Sequence, residues 1–132
     1  MVNSPFLMMK VLVVDDHQVV REGLCQLLSA QPDMEVVANA ADGRAALDLL
    51  NDGLQLNLLL TDMNMPGMDG LELTRRSTKL RRGLRVIVLT LHPLLAVKPR
   101  VLAAGAKDCV SKDGSIDELL TAIRAVHAVP NH

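Results

Sequence analysis

Five short apolar runs recur along this chain at nearly even spacing, and that rhythm restricts the fold more than any other feature. They are residues 10–14 (KVLVV), 34–38 (MEVVA), 56–60 (LNLLL), 84–89 (LRVIVL) and 107–111 (KDCVS), and their starts lie 22 to 28 positions apart. Continuous rather than alternating apolar runs suit strands buried on both faces, as in a parallel sheet. Each interval has room for one strand and one crossover helix. The intervening segments carry helical periodicity. One stripe comprises Val19, Val20, Gly23, Leu24, Leu27 and Leu28, and a second comprises Ala45, Ala46, Leu49 and Leu50. Leu71, Leu73 and Leu80 mark a third helix after the turn signals Pro66-Gly67 and Asp69-Gly70. The last helix is predicted from about Ile116 to Val129, with Ser115 and Glu118 forming a capping box at its start. Strand and helix alternating in this way predict an α/β fold with a parallel sheet and right-handed crossovers.

At 132 residues the chain is one domain. We expect it over residues 10–129, with an N-terminal extension at 1–9, a short tail at 130–132 and no second domain. Hydrophobic residues at 49% and charged residues at 22% exclude a disordered chain. Phe6 is the sole aromatic, so the core is aliphatic and stacking on nucleobases is unavailable. Fourteen Lys and Arg against fifteen Asp and Glu give a formal charge of −1, which argues against a bare nucleic-acid binder. Cys25 and Cys109 offer neither a disulfide framework nor metal-binding spacing, so we expect a reducing, cytoplasmic setting. No apolar run reaches the length of a membrane span, and Lys10 interrupts the stretch at 6–14 that resembles a signal peptide. No membrane partner is expected.

Ligands of open parallel sheets bind outside the carboxyl ends of the strands. Polar residues gather at those ends here: Asp15 and Asp16 after the first strand, Thr61 and Asp62 after the third, Thr90 after the fourth and Lys112 after the fifth. Three carboxylates in one crevice repel. A hard divalent cation relieves that repulsion, and oxygen-only ligands with positions left for water and phosphate suit Mg²⁺. One carboxylate is then available as a nucleophile towards a phosphoryl group. Lys112 would neutralise charge, and the Thr90 hydroxyl would bond a phosphoryl oxygen.

These residues, together with Asp15-Asp16-His17, the segment 59–70 (LLTDMNMPGMDG) and the segment 105–112 (GAKDCVSK), resemble a two-component response-regulator receiver domain. The likeness runs from about Lys10 to His127. Arg21-Glu22-Gly23-Leu24 and the closing segment 122–127 (AIRAVH) resemble the NarL/FixJ, or LuxR-type, subgroup. The resemblance implies a flavodoxin-like (βα)5 fold of strand order 2-1-3-4-5 with helices on both faces. It implies that Asp62 accepts phosphate from a sensor histidine kinase, assisted by Thr90 and Lys112. It further implies Mg²⁺ held directly by Asp16 and Asp62, through water by Asp15, and by the backbone carbonyl of Asn64. Chemistry would be limited to Mg²⁺-dependent self-phosphorylation and dephosphorylation, so the chain would not be an enzyme in the ordinary sense. Self-association into a homodimer fits the resemblance. Members of the subgroup usually carry a C-terminal helix-turn-helix. Nothing after His127 forms one, so DNA and transcription would be reached only through a domain missing from this chain, which is either an excised receiver or a stand-alone one.

Plainer readings compete at each position. Asp16 suits a helix N-cap, Asp62 a turn, Thr90 a strand and Lys112 a solvated surface. His17 suits a solvated first turn better than a metal site. Met63, Met65 and Met68 suit packing, and Cys25 suits a buried apolar position. Two other functions also remain open. A Mg²⁺-dependent phosphatase of the haloacid-dehalogenase type needs a second Asp two residues after its nucleophile, where this chain has adjacent Asp15 and Asp16. A pseudo-receiver acting by protein–protein binding would lack one of the acidic, Thr or Lys positions.

The segment 91–105 departs from its family. Pro93 and Pro99 predict that the fourth helix is short or irregular, starting near Pro99 and ending near Gly105, with 91–98 irregular and mobile. Cys109 stands where an aromatic residue is usual in receivers. Together these suggest signalling by ordering of 91–98 in place of an aromatic rotamer change.

Overall fold

A computed structural model describes residues 8–128; most of the expected N-terminal extension, Val129 and the expected tail lie outside the described residues. The elements alternate strictly: β1 (Met9–Val14), α1 (Gln18–Ser29), β2 (Met34–Ala40), α2 (Gly43–Asn51), β3 (Leu58–Asp62), α3 (Gly70–Leu80), β4 (Arg85–Thr90), α4 (Leu94–Ala103), β5 (Asp108–Ser111) and α5 (Ile116–Ala128). All strand pairs are parallel, in the order β2-β1-β3-β4-β5. This is the expected flavodoxin-like architecture.

The apolar runs are continuous because the sheet is covered on both faces. Along β1, Leu12 and Val14 point to one core with Leu59, Val86 and Val88. Val11 and Val13 point to the other with Leu58, Leu60, Ile87 and Leu89. The first core is closed by Leu47 and Leu50 of α2, Leu73 of α3, and Val97 and Val101 of α4. The second is closed by Leu28 of α1 and by Leu119, Leu120 and Ile123 of α5.

β3 lies two residues later than the hydropathy suggests. The Asn57 side chain accepts from the Lys10 N–H at 2.7 Å, and the Asn57 N–H donates to the Lys10 carbonyl at 2.9 Å. Those bonds set where pairing begins, and the strand therefore runs on through Thr61 and Asp62, which pair with Val14 and Leu89.

Helix starts follow local chemistry at three places. Asp42 caps the Ala45 N–H at 2.8 Å, Asp69 caps the Glu72 N–H at 2.9 Å, and Ser115 caps the Glu118 N–H at 3.1 Å. The Ser115–Glu118 box forms as expected. α1 does not use Asp16 as its cap: His17 occupies that position, with no capping bond from its side chain.

α4 overturns one expectation. It begins at Leu94, just after Pro93, and runs ten residues with Pro99 in its interior. Proline removes the bond to the Leu95 carbonyl and crowds it, a cost of about 3 kcal/mol in a helix interior. Pro99 and Leu95 both lie on the exposed face. The opposite face, with Val97, Val101 and Ala104, is buried on the sheet and holds the helix across the proline. Its end matches the expectation. The Gly105 N–H bonds the Leu102 carbonyl and the Ala106 N–H bonds the Val101 carbonyl, with Gly105 at φ +114°, the pattern of a glycine-terminated helix. Residues 94–98 are therefore already helical, which removes the basis for a signal carried by their ordering.

Candidate functional site: a carboxylate crevice at the strand ends

The expected rim residues converge. Asp15, Thr61, Asp62 and Thr90 are all buried, and Asp16 and Lys112 close the crevice from its edges. Lys112 is delivered by the last bond of the β4–β5 ladder, from its own N–H to the Thr90 carbonyl at 2.7 Å. Its ammonium reaches Asp62 Oδ2 at 2.8 Å and Asp15 Oδ2 at 2.9 Å. Burial alone would push the Lys112 ammonium down. The hydrogen bonds and charges of Asp62 and Asp15 outweigh it and hold the group above its ordinary value. Lys112 is therefore a fixed positive charge, and the plain surface-lysine reading does not describe it.

The carboxylates remain under-satisfied. Among the described residues, the buried atoms Asp15 Oδ2 and Asp16 Oδ1 accept no well-directed hydrogen bond, although Asp15 Oδ2 has its ion pair with Lys112. Ligand atoms of Asp15, Asp16, His17 and Asp62 all lie within 4.8 Å of one another. Buried oxygens with spare lone pairs in an all-oxygen carboxylate set fit a hard divalent cation. His17 is largely exposed, as expected, but its Nδ1 stands 3.3 Å from Asp15 Oδ1 and 3.4 Å from Asp16 Oδ1. The His17 N–H also donates to Asp15 Oδ1 at 2.8 Å.

The two remaining rim residues are joined by loops. The Asn64 N–H approaches Asp62 Oδ1 at 3.4 Å. The Asn64 amide nitrogen lies 3.0 Å from His92 Nε2, and the His92 N–H donates to Thr90 Oγ1 at 3.0 Å. A chain of contacts thus runs from Asp62 through Asn64 and His92 to Thr90.

The supporting roles of three residues, Arg21, Asn39 and Gly70, escaped the sequence reading. Arg21 donates from Nη1 to the Asp15 carbonyl at 2.8 Å and from Nε to Asn39 Oδ1 at 3.0 Å, pinning the end of β1 to β2. Gly70 is the third. A side chain there would collide with the Asp62 carbonyl and stand 2.9 Å from Met63 Cα. Glycine lets the start of α3 close onto the end of β3, where the Gly70 N–H bonds the Met63 carbonyl at 2.8 Å. The Asp-Gly pair signalled a turn, but not this approach. Met63 and Met65 are buried and Met68 packs against them, as expected for packing residues. Cys25 is half-buried against the second core, and Cys109 is buried beneath α4. No described helix is long and apolar enough to cross a membrane.

Comparison with known proteins gives a consistent result. The family model described as the response regulator receiver domain matches residues 11–124. The transcriptional regulatory protein UhpA of Escherichia coli (strain K12) is 40% identical over 119 residues, covering 90% of this chain and 59% of that protein. The nitrate/nitrite response regulator protein NarP of the same organism is 39% identical over 122 residues, covering 92% of this chain and 55% of that protein. The chain thus spans little more than half the length of these relatives. A LuxR-family two-component response regulator from Aurantimonas sp. SI85-9A1 superimposes with a TM-score of 0.85 at 33% identity, over 92% of this chain and 86% of that one. The signal receiver domain of NarL from Mycobacterium tuberculosis does so with a TM-score of 0.83 at 31% identity, over 93% and 99%.

Proposed function

This chain belongs to the response regulator receiver domain family, of NarL/LuxR type, and we propose that Asp62 is its phosphoacceptor, charged by a sensor histidine kinase in the presence of Mg²⁺. The observation that carries this reading is the placement of Asp62. It ends β3 buried, 2.8 Å from a fixed ammonium that it shares with Asp15, beside Asp16, whose buried Oδ1 accepts no hydrogen bond. Asp15, Asp16, Asp62 and the backbone carbonyl of Asn64 would hold the cation. When bound, it neutralises the carboxylates and the incoming phosphoryl oxygens. An Asp62 oxygen attacks phosphorus and the donor's phosphorus–nitrogen bond breaks, giving an aspartyl phosphate. Lys112, already against Asp62, is positioned to pair with the new dianion, and the Thr90 hydroxyl is free to turn towards it.

The consequence is a switch. The Thr90 oxygen now accepts from the His92 backbone, so reorienting it alters the loop that leads into α4. Differential contact of this kind shifts an existing equilibrium. Cys109 offers no aromatic ring to follow it. Val19 and Leu27 are exposed on α1 and would offer the kinase apolar contact. Control of transcription, which the name of the relative UhpA states for that protein, would run through a DNA-binding region, and the setting would be the cytoplasm.

Intact-mass analysis after incubation with a small phosphodonor tests the reading. One phosphate adduct is expected with Mg²⁺, and none in excess chelator or in Asp62→Asn. An adduct that persists in Asp62→Asn overturns the assignment.

A further inference from the structure

The formal charge of −1 conceals a separation of charge along the chain. No Asp or Glu occurs between Glu72 and Asp108, yet nine of the fourteen Lys and Arg fall there. All fifteen carboxylates lie outside that segment, with only five cations. The segment comprises α3 from Leu73 on, β4 and α4, which share one face of the sheet with α2.

Several of the nine are already engaged. Arg75 and Arg76 share Glu72, Lys98 pairs with Asp108 at 3.2 Å, and Arg81 donates to the Leu50 carbonyl. Arg85 also has a partner. Lys79, Arg82, Arg100 and Lys107 remain, each exposed and, among the described residues, paired with no carboxylate. The fold places these four at the ends of α3 and α4 and at the start of β5. Thr78 of α3 lies against Gly105, the residue that ends α4: a Cβ there would stand 3.2 Å from Thr78 Oγ1. Lys79 and Arg82 are exposed and follow Thr78 in the chain by one and four residues. Arg100 is one turn before the end of α4, and Lys107 is anchored to Val86 at the head of β5. This junction is at the amino end of the sheet, away from the carboxylate crevice.

We propose that the α3–α4 junction is a contact surface for the phosphate backbone of duplex nucleic acid. A protein partner would call for a desolvated apolar centre with aromatic anchors. Among the described residues there is no aromatic side chain, and the exposed large apolar residues of α3 and α4 are Leu80 and Leu102, each more than half covered, and Leu95 near the opposite end of α4. Clustered cations without such a centre suit a repetitive, sequence-independent polyanion. A single strand would be held largely by base stacking, which this chain cannot supply among its described residues. The duplex is therefore the better match. The contact is weak alone and would add to binding by a region that reads sequence. It is independent of the assignment of Asp62.

Fluorescence anisotropy of the full chain with a labelled mixed-sequence duplex, titrated with salt, tests the proposal. Four released counterions give a slope of log K against log salt of about −3.6. Lys79→Gln/Arg82→Gln should flatten it by about 1.8, and the fourfold Gln variant, adding Arg100→Gln and Lys107→Gln, should lose binding. Arg44→Gln, outside the segment, should match the parent. Far-UV circular dichroism checks that each variant is folded. Lack of duplex binding at low salt overturns the proposal, as does equal binding by the fourfold variant. Binding to phosphatidylserine vesicles in place of duplex assigns the surface to membranes and overturns it equally. Phosphoryl uptake by the folded fourfold variant, measured separately, reports on the crevice alone.

Discussion

Helices α3 and α4 lie side by side on the same face of the sheet, but different forces hold them. α3 begins where local chemistry says it should: Asp69 caps it, Glu72 sits in its first turn and Gly70 lets it seat on β3. α4 has no capping side chain and no acidic first turn, and it carries Pro99 in its interior. α3 is written into its sequence. α4 exists because Val97, Val101 and Ala104 are buried against the sheet. Local preference of a few kcal/mol decides a helix only where packing is neutral, and here packing is not neutral.

The largest expected effect is at the α3 side of that contrast. Gly70→Ala places a methyl group against the Asp62 carbonyl, where only backbone can yield. We expect a loss of about 3 kcal/mol in urea unfolding, together with slower phosphoryl uptake at Asp62, because the end of β3 must move. Unchanged stability would show that α3 does not need so close an approach.

Pro99→Ala carries the opposite sign. It restores the bond to the Leu95 carbonyl and relieves crowding, and the unfolded chain's greater freedom offsets part of that gain. Net stabilisation of about 1–2 kcal/mol is expected. A loss would mean that α4 is shaped around the proline.

Asp69→Ala removes the cap of α3 and should cost about 1 kcal/mol. No single capping substitution at Pro93 can do the same to α4, since it has no capping bond to lose.

The smallest effect lies on the other face, as a control for both helices. Arg124 of α5 bonds Asp33 at 2.9 Å, and that hydrogen bond is the main cause holding the Asp33 carboxyl below the usual carboxylate range. A carboxylate depressed in the folded state stabilises above its unfolded pKa of about 3.9 and loses that contribution as pH falls through its folded value. Both groups are well exposed, so the contribution is under about 1 kcal/mol. Arg124→Gln should reduce the stability difference between neutral pH and pH below about 3.9 by that amount, leaving α3 and α4 unaffected.

The order of elements was legible because burial on both faces leaves a periodic signature that needs no tertiary information. The rim residues Asp15, Asp16, Asp62, Thr90 and Lys112 were legible for a related reason. In a parallel sheet the carboxyl end of a strand is a position in space, so residues distant in sequence are brought together by topology alone. Caps at Asp69 and Ser115 are equally local.

What the sequence by itself determined is therefore the α/β class, the strand order through family resemblance, and the membership of the crevice. Tertiary structure alone decided the rest. β3 starts at Leu58 because Asn57 bonds Lys10 across the sheet. Arg21 supports Asp15 because α1 passes beside β2. α4 forms through Pro99 because one face is buried while the proline faces water. The ends of α3 and α4, which carry the unpaired cations, approach where Thr78 lies against Gly105. Periodicity reports which side of an element is apolar. Long-range contacts decide where the element begins, what it tolerates and which charges become neighbours.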